Sequence, residues 1–126
     1  VSSNPIVPIL ENFLFEVSDK ILTLTSSDMQ TYLKTTIEVE SNESAKIAIP
    51  AKMLLDTLKN LSNQPITFTI DEYSYNVEIT SNNGRYKLIG ESAEDFPKNP
   101  EIEDPINLKI SASDLKFGIK KTLFAI

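Results

Sequence analysis

Few side chains in this sequence could perform acid–base or nucleophilic chemistry. Its 126 residues include no histidine and no cysteine. This composition excludes a serine–histidine triad, a thiolate nucleophile and any histidine or cysteine metal site. The three glycines are isolated and cannot form a phosphate-binding loop. Lysine, aspartate, glutamate and tyrosine remain as acid–base groups, and the sequence predicts no cofactor and no metal.

Paired carboxylates are the catalytic arrangement that this composition still allows. Glu11 with Glu16, or Asp71 with Glu72, could form the acid and base of a glycosidase-like enzyme. These acids fall mainly at predicted turns and on polar strand faces, where solvation already explains them. An enzyme of this class is one hypothesis, and it requires two carboxylates that converge in space.

The charge is distributed unevenly along the chain. The net charge is -6, but the helical stretches 50–61 and 112–126 contain five lysines and two acids, a balance of +3 that leaves -9 elsewhere. Basic helix faces on an acidic body suit contacts with phosphates that do not depend on base sequence. The alternative is that lysines are simply common on solvated helix faces. The lysines concerned are Lys52, Lys59, Lys116, Lys120 and Lys121.

The elements that must position these lysines follow from the apolar periodicity. Stretch 7–28 reads as a hairpin with a polar break at 18–20. Alternation predicts further strands at 32–40, 45–49, 66–70, 73–80 and 85–90, with a type I′ turn at Asn83-Gly84. Helical spacing predicts a helix over 50–61. The proline-rich stretch 91–105 reads as a linker, followed by a strand over 106–110 and a helix, capped by Ser111 or Ser113, that runs through Ile126.

Size and composition are those of one globular α+β domain. Hydrophobic residues make up 40% and charged residues 24% of the chain, which argues against wholesale disorder. No apolar run approaches the ~20 residues of a membrane span. The absence of cysteine fits a cytoplasmic location, which we therefore expect, together with no membrane partner.

Five short segments carry a more specific signal, because their wording and order match one family. They resemble the bacterial DNA sliding clamp, the beta subunit of DNA polymerase III, across nearly the whole chain. The segments are Pro8-Ile9-Leu10, Leu24-Thr25-Ser26-Ser27-Asp28, Ile49-Pro50-Ala51, Asp95-Phe96-Pro97 and Lys121-Thr122-Leu123-Phe124-Ala125.

The resemblance implies a fold and a function. The fold is a DNA-clamp-like α+β domain, with antiparallel sheets on one side and two helices packed against them. The implied function is that of a fragment of a processivity factor, a non-catalytic homodimeric ring that encircles duplex DNA and tethers DNA polymerase III after assembly by a clamp loader. A β-rich interaction module without a nucleic-acid role is the alternative.

The resemblance also divides the chain. Residues 1–99 resemble the first clamp domain without its opening strand and helix, 100–105 a linker, and 106–126 the opening strand and helix of the second domain. We therefore hypothesise that 106–126 fills the vacant position in the first domain, in its own chain or in a neighbouring copy. The partner-peptide pocket of the family would lie outside this chain.

The resemblance assigns roles to particular residues as well. The five helical lysines would contact DNA. The strand 85–90 resembles the edge that meets the neighbouring subunit, with apolar Tyr86 and Leu88 beside Arg85 and Lys87; alternatively, both apolar side chains face the core. Many relatives have arginine where this chain has Asn4, which leaves a DNA contact there in doubt.

Overall fold

The computed structural model describes residues 7–126, so Asn4 lies outside the described residues. This part contains two antiparallel sheets and two α-helices. The first sheet has the order β3-β2-β1-β4 and the second β5-β6-β7. The strands are β1 (Asn12–Ser18), β2 (Ile21–Ser27), β3 (Tyr32–Glu38), β4 (Ala45–Pro50), β5 (Thr67–Ile70), β6 (Asn76–Ser81) and β7 (Gly84–Ile89); the helices are α1 (Ala51–Lys59) and α2 (Ala112–Thr122).

The β1–β2 hairpin turns where the sequence predicts. Asp19 and Lys20 connect the strands with φ of 51° and 64°. Two consecutive positive φ values match a type I′ turn, whose twist agrees with that of the flanking strands. The β6–β7 turn differs from its prediction. Gly84 (φ 155°) pairs with Ser81 as the first residue of β7, so the two central residues of the turn are Asn82 and Asn83. Neither has a positive φ, so the turn is not of type I′.

The strand β6 also begins later than predicted, because the turn before it is longer. Tyr73 and Tyr75 belong to the turn and not to the strand. The Asp71 carboxylate accepts hydrogen bonds from the Tyr73 and Ser74 backbone N–H groups and from the Ser74 hydroxyl. These bonds stabilise the turn through residue 74, so the alternating strand starts only at Asn76.

Both sheets and α1 enclose the main core. Leu54 of α1 packs into it, and Leu58 packs against it from the same helix. The predicted α1 stripe is therefore largely buried, although Leu55 is half exposed. The fully or nearly fully buried members of this core are Phe15, Ile47, Ile49, Leu54, Val77, Ile79 and Leu88.

The first part of the predicted linker belongs to the folded body. Glu91 exchanges two backbone hydrogen bonds with Ala48, at 2.8 and 3.1 Å. A short 3-10 helix, Ala93–Asp95, then places Phe96 in a second core with Leu10 and Leu14. The interpretation of 91–97 as linker is wrong because Phe96 supplies an apolar anchor that the proline pattern hid. Only the residues after Pro97 run free of the cores.

Residues 106–126 differ from the prediction in two respects. The segment 106–110 forms no strand, and no strand edge within residues 7–126 pairs with it. The helix α2 forms and continues as a 3-10 turn, Leu123–Ala125, but none of its residues is buried. The predicted fold class of antiparallel sheets with two helices is confirmed, but in the described residues α2 buries no side chain, so 106–126 does not fill a vacant position in its own chain.

Candidate nucleic-acid interface

The two lysines of α1 lie on one exposed side of the helix. Lys52 and Lys59 are seven residues apart, which is close to two helical turns, so both project from the same face. That face points away from the buried residues Ala51 and Leu54. Apolar packing on one side thus holds α1 in place and presents its two lysines to solvent.

The three lysines of α2 project from two sides of this exposed helix. Lys116 and Lys120 are four residues apart and share a face. Lys121 lies over the Phe117 ring, with its ammonium nitrogen 4.7 Å from the ring centroid. That cation–π contact holds the Lys121 side chain against the helix surface, where its charge stays exposed to solvent. Lys120 and Lys121 also stand in the last turn, where positive charge favours the helix dipole.

The charge of all five lysines is available to a partner. The ion pairs found within residues 7–126 are Lys46 with Glu16, at 3.5 Å, and Arg85 with Glu78, at 4.0 Å. Neither involves a helical lysine. Flexible, unpaired ammonium groups on helix faces can contact phosphates at many registers, but they cannot read base edges.

Packing does not bring the two lysine groups together. The α1 pair is fixed to the body, whereas every side chain of α2 is exposed to solvent. Their assignment to one surface thus stays a prediction.

The edge strand β7 has two distinct faces. Arg85 and Lys87 are exposed, while Tyr86 and Leu88 point toward the main core. Leu88 is only 4% exposed, which favours the alternative that it faces the core, while its contact with a neighbouring subunit stays a prediction. Its partner across the strands is Val77, and Tyr86 pairs with Ile79, both of which are buried core residues. Leu88 thus belongs to the main core of the described chain, and half-buried Tyr86 packs against the same core.

The outer edge of β7 nevertheless remains open for backbone pairing. The Gly90 N–H donates to the Tyr75 carbonyl, at 2.7 Å. Because bonded pairs alternate in an antiparallel ladder, the polar backbone groups of Arg85, Lys87 and Ile89 point away from β6. Ile89 is 69% exposed and is the apolar residue on this edge that the sequence interpretation missed. The alternation that assigns Leu88 inward could have identified it.

Three of the four candidate carboxylates, those of Asp71, Glu16 and Glu72, make structural contacts. Asp71 holds its turn, and the Ser74 hydroxyl bond, followed by the Tyr73 and Ser74 backbone bonds, lowers the pKa of its carboxyl. A general acid needs a raised pKa instead. Glu16 pairs with Lys46, and Glu72 accepts a long bond from the Lys46 backbone N–H. Within residues 7–126, no three acidic side chains are placed to hold a metal ion.

A cleft of about 720 Å³ lies on the opposite face of the first sheet from the main core. Its lining includes three lysines and three glutamates, so its charges balance and present no single-sign field to a phosphate. No helix in the described residues is long and apolar enough to cross a membrane.

Comparison with known proteins agrees with this geometry. The family model for the N-terminal domain of the DNA polymerase III beta subunit matches residues 1–100. A beta sliding clamp from Synechocystis sp. is 35% identical over 132 aligned positions, covering 99% of this chain and 34% of the relative. One from Vibrio harveyi is 29% identical and covers 99% of this chain and 86% of that sequence.

Solved structures give the same result. The crystal structure of the DNA polymerase III subunit beta from Pseudomonas aeruginosa superposes with a TM-score of 0.87 at 29% identity, covering 98% of this chain and 34% of that one. The chain thus spans about a third of the length of the Synechocystis and Pseudomonas proteins. On the match of residues 1–100, the chain belongs to the DNA polymerase III beta subunit, or sliding clamp, family.

Proposed function

We propose that this chain contributes one domain, and the start of the next, to a sliding clamp that encircles duplex DNA. The observation that carries the proposal is the match of residues 1–100 to the N-terminal domain of the clamp family. The unpaired lysines on α1 and α2 support it, since a ring that slides needs phosphate contacts without base readout.

The proposal extends to the role of the whole clamp. It is a non-catalytic processivity factor of the cytoplasm, whose partners are duplex DNA, DNA polymerase III, the clamp loader and further clamp subunits. The absence of histidine and cysteine from the sequence and the structural use of Asp71 and Glu16 support a binding role. A hydrolase activity that co-purified with the chain and vanished when one of these carboxylates was replaced would contradict it.

The same proposal assigns the domains. Residues 1–99 form the first domain, 100–105 a linker, and 106–126 the start of the second. The change from buried Phe96 to the uniformly exposed residues after Asn99 supports a boundary in this region. This boundary differs from the linker predicted over 91–105 only because residues 91–97 pack on the first domain.

The salt dependence of DNA binding tests the lysine assignment. Each phosphate contact contributes about -0.9 to the slope of log K against log salt concentration. If Lys52, Lys59, Lys116, Lys120 and Lys121 all contact phosphates, the slope is about -4.5. Replacing all five by glutamine should reduce it to near zero. NMR titrations of the 126-residue chain with random-sequence duplexes, repeated at a series of salt concentrations that starts from low salt, measure the slope.

The chain offers a matched control with the same loss of charge. Replacing Lys20, Lys34, Lys46, Lys87 and Lys98 by glutamine removes five positive charges outside the two helices. This variant should keep the original slope. Equal losses in both variants would show that net charge alone drives binding and that the helical lysines form no site. No binding by the unaltered chain at low salt would favour the interaction module without a nucleic-acid role.

A second experiment tests β7 as the subunit edge. In a full-length clamp that contains this sequence, Arg85→Glu with Lys87→Glu places acidic groups on the open edge and should weaken ring closure. The paired control, Lys34→Glu with Lys46→Glu, changes the same charge elsewhere. Light scattering across a dilution series measures assembly, and equal dissociation of the two variants would remove β7 from the interface.

A further inference from the structure

The tip of the β6–β7 hairpin contains the one Asn-Gly step of the sequence, Asn83-Gly84. Both residues are exposed to solvent. Gly84 has no side chain, and a Cβ placed there would meet nothing within 4 Å, so that side of its backbone nitrogen is open. The backbone nitrogen that follows an asparagine can close a five-membered ring with the Cγ atom of that side chain. Asn83 is therefore the asparagine of this chain whose sequence context hinders ring closure least.

The Asn83 side chain is also free to approach that nitrogen. Elsewhere in the chain, the carboxamides of Asn60 and Asn76 donate hydrogen bonds to neighbouring oxygen atoms, at 3.0 and 2.8 Å. Within residues 7–126, Asn83 is bonded through its backbone N–H alone, which donates to Ser81 Oγ at 3.2 Å. Its carboxamide can therefore change rotamer and bring Cγ toward the Gly84 nitrogen.

The Ser81 hydroxyl holds the backbone on both sides of the reactive peptide bond. It accepts a hydrogen bond from the Asn83 N–H at 3.2 Å and donates one to the Gly84 carbonyl oxygen at 3.3 Å. Ser81 also pairs with Gly84 as the last pair of the β6–β7 ladder. Ring closure moves the Asn83 backbone out of this arrangement, so these contacts must open first. Both hydroxyl bonds are long, and the end of a ladder opens at a small cost in free energy.

We propose that Asn83 is a site of spontaneous deamidation and that the Ser81 hydroxyl limits its rate. The Gly84 nitrogen gives its proton to a base in solvent and attacks Asn83 Cγ. A new N–Cγ bond forms, the bond from Cγ to the side-chain nitrogen breaks, and ammonia leaves behind a succinimide ring. Water then adds to one of the two ring carbonyls and breaks its bond to the ring nitrogen. Opening at Cγ gives aspartate, and opening at the backbone carbonyl gives isoaspartate. The reaction consumes one water, releases one ammonia, oxidises nothing and does not depend on the proposed function.

Either product changes the start of β7. Residues 81–87 contain Arg85 and Lys87 and no acid, so their net charge falls from +2 to +1 when residue 83 becomes acidic. Isoaspartate also adds one atom to the main chain of the two-residue turn. Because loop length sets the register of a hairpin, this product should disturb the pairing of Ser81 with Gly84. The open edge of β7 thus changes in charge with both products and in geometry with one.

Peptide mapping of the 126-residue chain, incubated at neutral and at mildly alkaline pH, tests the site. Mass spectrometry should locate the exchange of NH2 for OH at Asn83, several-fold faster than at Asn42 or Asn82, which are exposed but precede residues with side chains. The rate should rise with pH, because the attack requires the deprotonated nitrogen. Asn83→Gln should abolish the fast change, because its ring would need a sixth atom. Equal rates at the three asparagines, or a fast change that persists in Asn83→Gln, would overturn the proposal.

The variant Ser81→Ala tests the restraint on the turn. It removes both hydroxyl hydrogen bonds and should raise the rate at Asn83 several-fold in the folded chain. Ser44→Ala, at an exposed serine between β3 and β4, is the matched control and should leave the rate unchanged. In concentrated urea the unaltered chain and Ser81→Ala should deamidate equally fast, because the folded turn is absent. A folded Ser81→Ala chain that reacts no faster, or one whose advantage persists in urea, would overturn the role of Ser81.

The two products are compared by their melting temperatures after separation by ion exchange. Asn83→Asp has the charge of the aspartate product without the altered main chain, so it is the control for charge. The isoaspartate chain should melt at a lower temperature than Asn83→Asp. Equal melting temperatures would overturn the predicted change in the geometry of the turn.

Discussion

The helices α1 and α2 have similar sequences by pattern but different environments. Each has an apolar stripe, exposed lysines and a length of about ten residues. Yet α1 buries Ala51 and Leu54 between the two sheets, whereas α2 buries nothing. Periodicity predicts which side of a helix requires burial, but the partner comes from elsewhere in the fold. Strand β4 leads directly into α1 and holds it against the core, while α2 follows a free connection.

Removing one leucine from each helix should give the largest contrast. Leu54→Ala leaves a cavity in the main core, where Leu54 is 4% exposed, and should lower the free energy of unfolding by about 2–5 kcal/mol. Leu115→Ala should change it by less than about 0.5 kcal/mol at dilutions where the chain is monomeric. Urea denaturation measures both. Similar losses would mean that α2 is packed within the chain after all.

The two helices also show how far sequence can predict this fold. The β1–β2 hairpin and the α1 stripe were predictable because local turn chemistry and periodicity decide them. The sequence from β7 to the end of the proline-rich stretch was harder to interpret. Phe96 is a single apolar anchor among prolines and acids, and Leu88 alternates inward on an edge strand. Leu14, which packs with Phe96, is distant in sequence, so only the tertiary fold reveals that contact. Leu88 faces Val77 across the β6–β7 hairpin, so its inward alternation was readable from local sequence.

Candidate site residues were predictable to the same extent. Exposure of the five lysines follows from their positions on the polar sides of helices. Whether α1 and α2 present them to one ligand depends on the placement of α2, which local sequence does not determine. Ile89 alternates with buried Leu88 on β7, so the same period-2 pattern that places Leu88 inward indicates that Ile89 is exposed.

Alanine substitutions at two glycines should show a smaller difference in stability between the body and α2. A Cβ at Gly90 would lie 2.6 Å from the Ala48 carbonyl oxygen and 2.9 Å from Ile47 Cδ1. Gly90→Ala should therefore destabilise the body by about 1–3 kcal/mol through overpacking. At Gly118 in α2 a Cβ meets nothing within 4 Å, so Gly118→Ala should raise helix content without shifting the main transition. Circular dichroism and thermal melts of both variants distinguish these outcomes.

The pH dependence of stability gives a third contrast, between Asp71 in the body and Asp104 in the exposed connection. Hydrogen bonds from Ser74 and the Tyr73 and Ser74 backbone lower the pKa of Asp71 in the folded chain. Its charged form therefore stabilises the fold above about pH 4, the usual aspartate range, and this contribution is lost as pH falls through the lowered pKa. Asp71→Asn should thus unfold more readily than the unaltered chain at pH 7, and the difference should disappear toward pH 2.

The tail provides the control for that pH series. Asp104 is exposed and lies in the free connection, so Asp104→Asn should match the unaltered chain at every pH. Urea midpoints between pH 2 and pH 7 measure both variants. A gap for Asp71→Asn that persists unchanged at pH 2 would assign its effect to the altered amide and not to the charge.

The smallest effect should come from the largest deletion. Ending the chain at Pro105 removes the extended segment 106–110 and the whole of α2, yet none of their side chains is buried. Terminal segments without buried contacts contribute little to the stability of a domain. At dilutions where the chain is monomeric, the shortened chain should keep its unfolding free energy within about 0.5 kcal/mol. A fall in the melting temperature at dilution would show that α2 supports the body in its own chain, and the contrast between α1 and α2 would then be one of degree only.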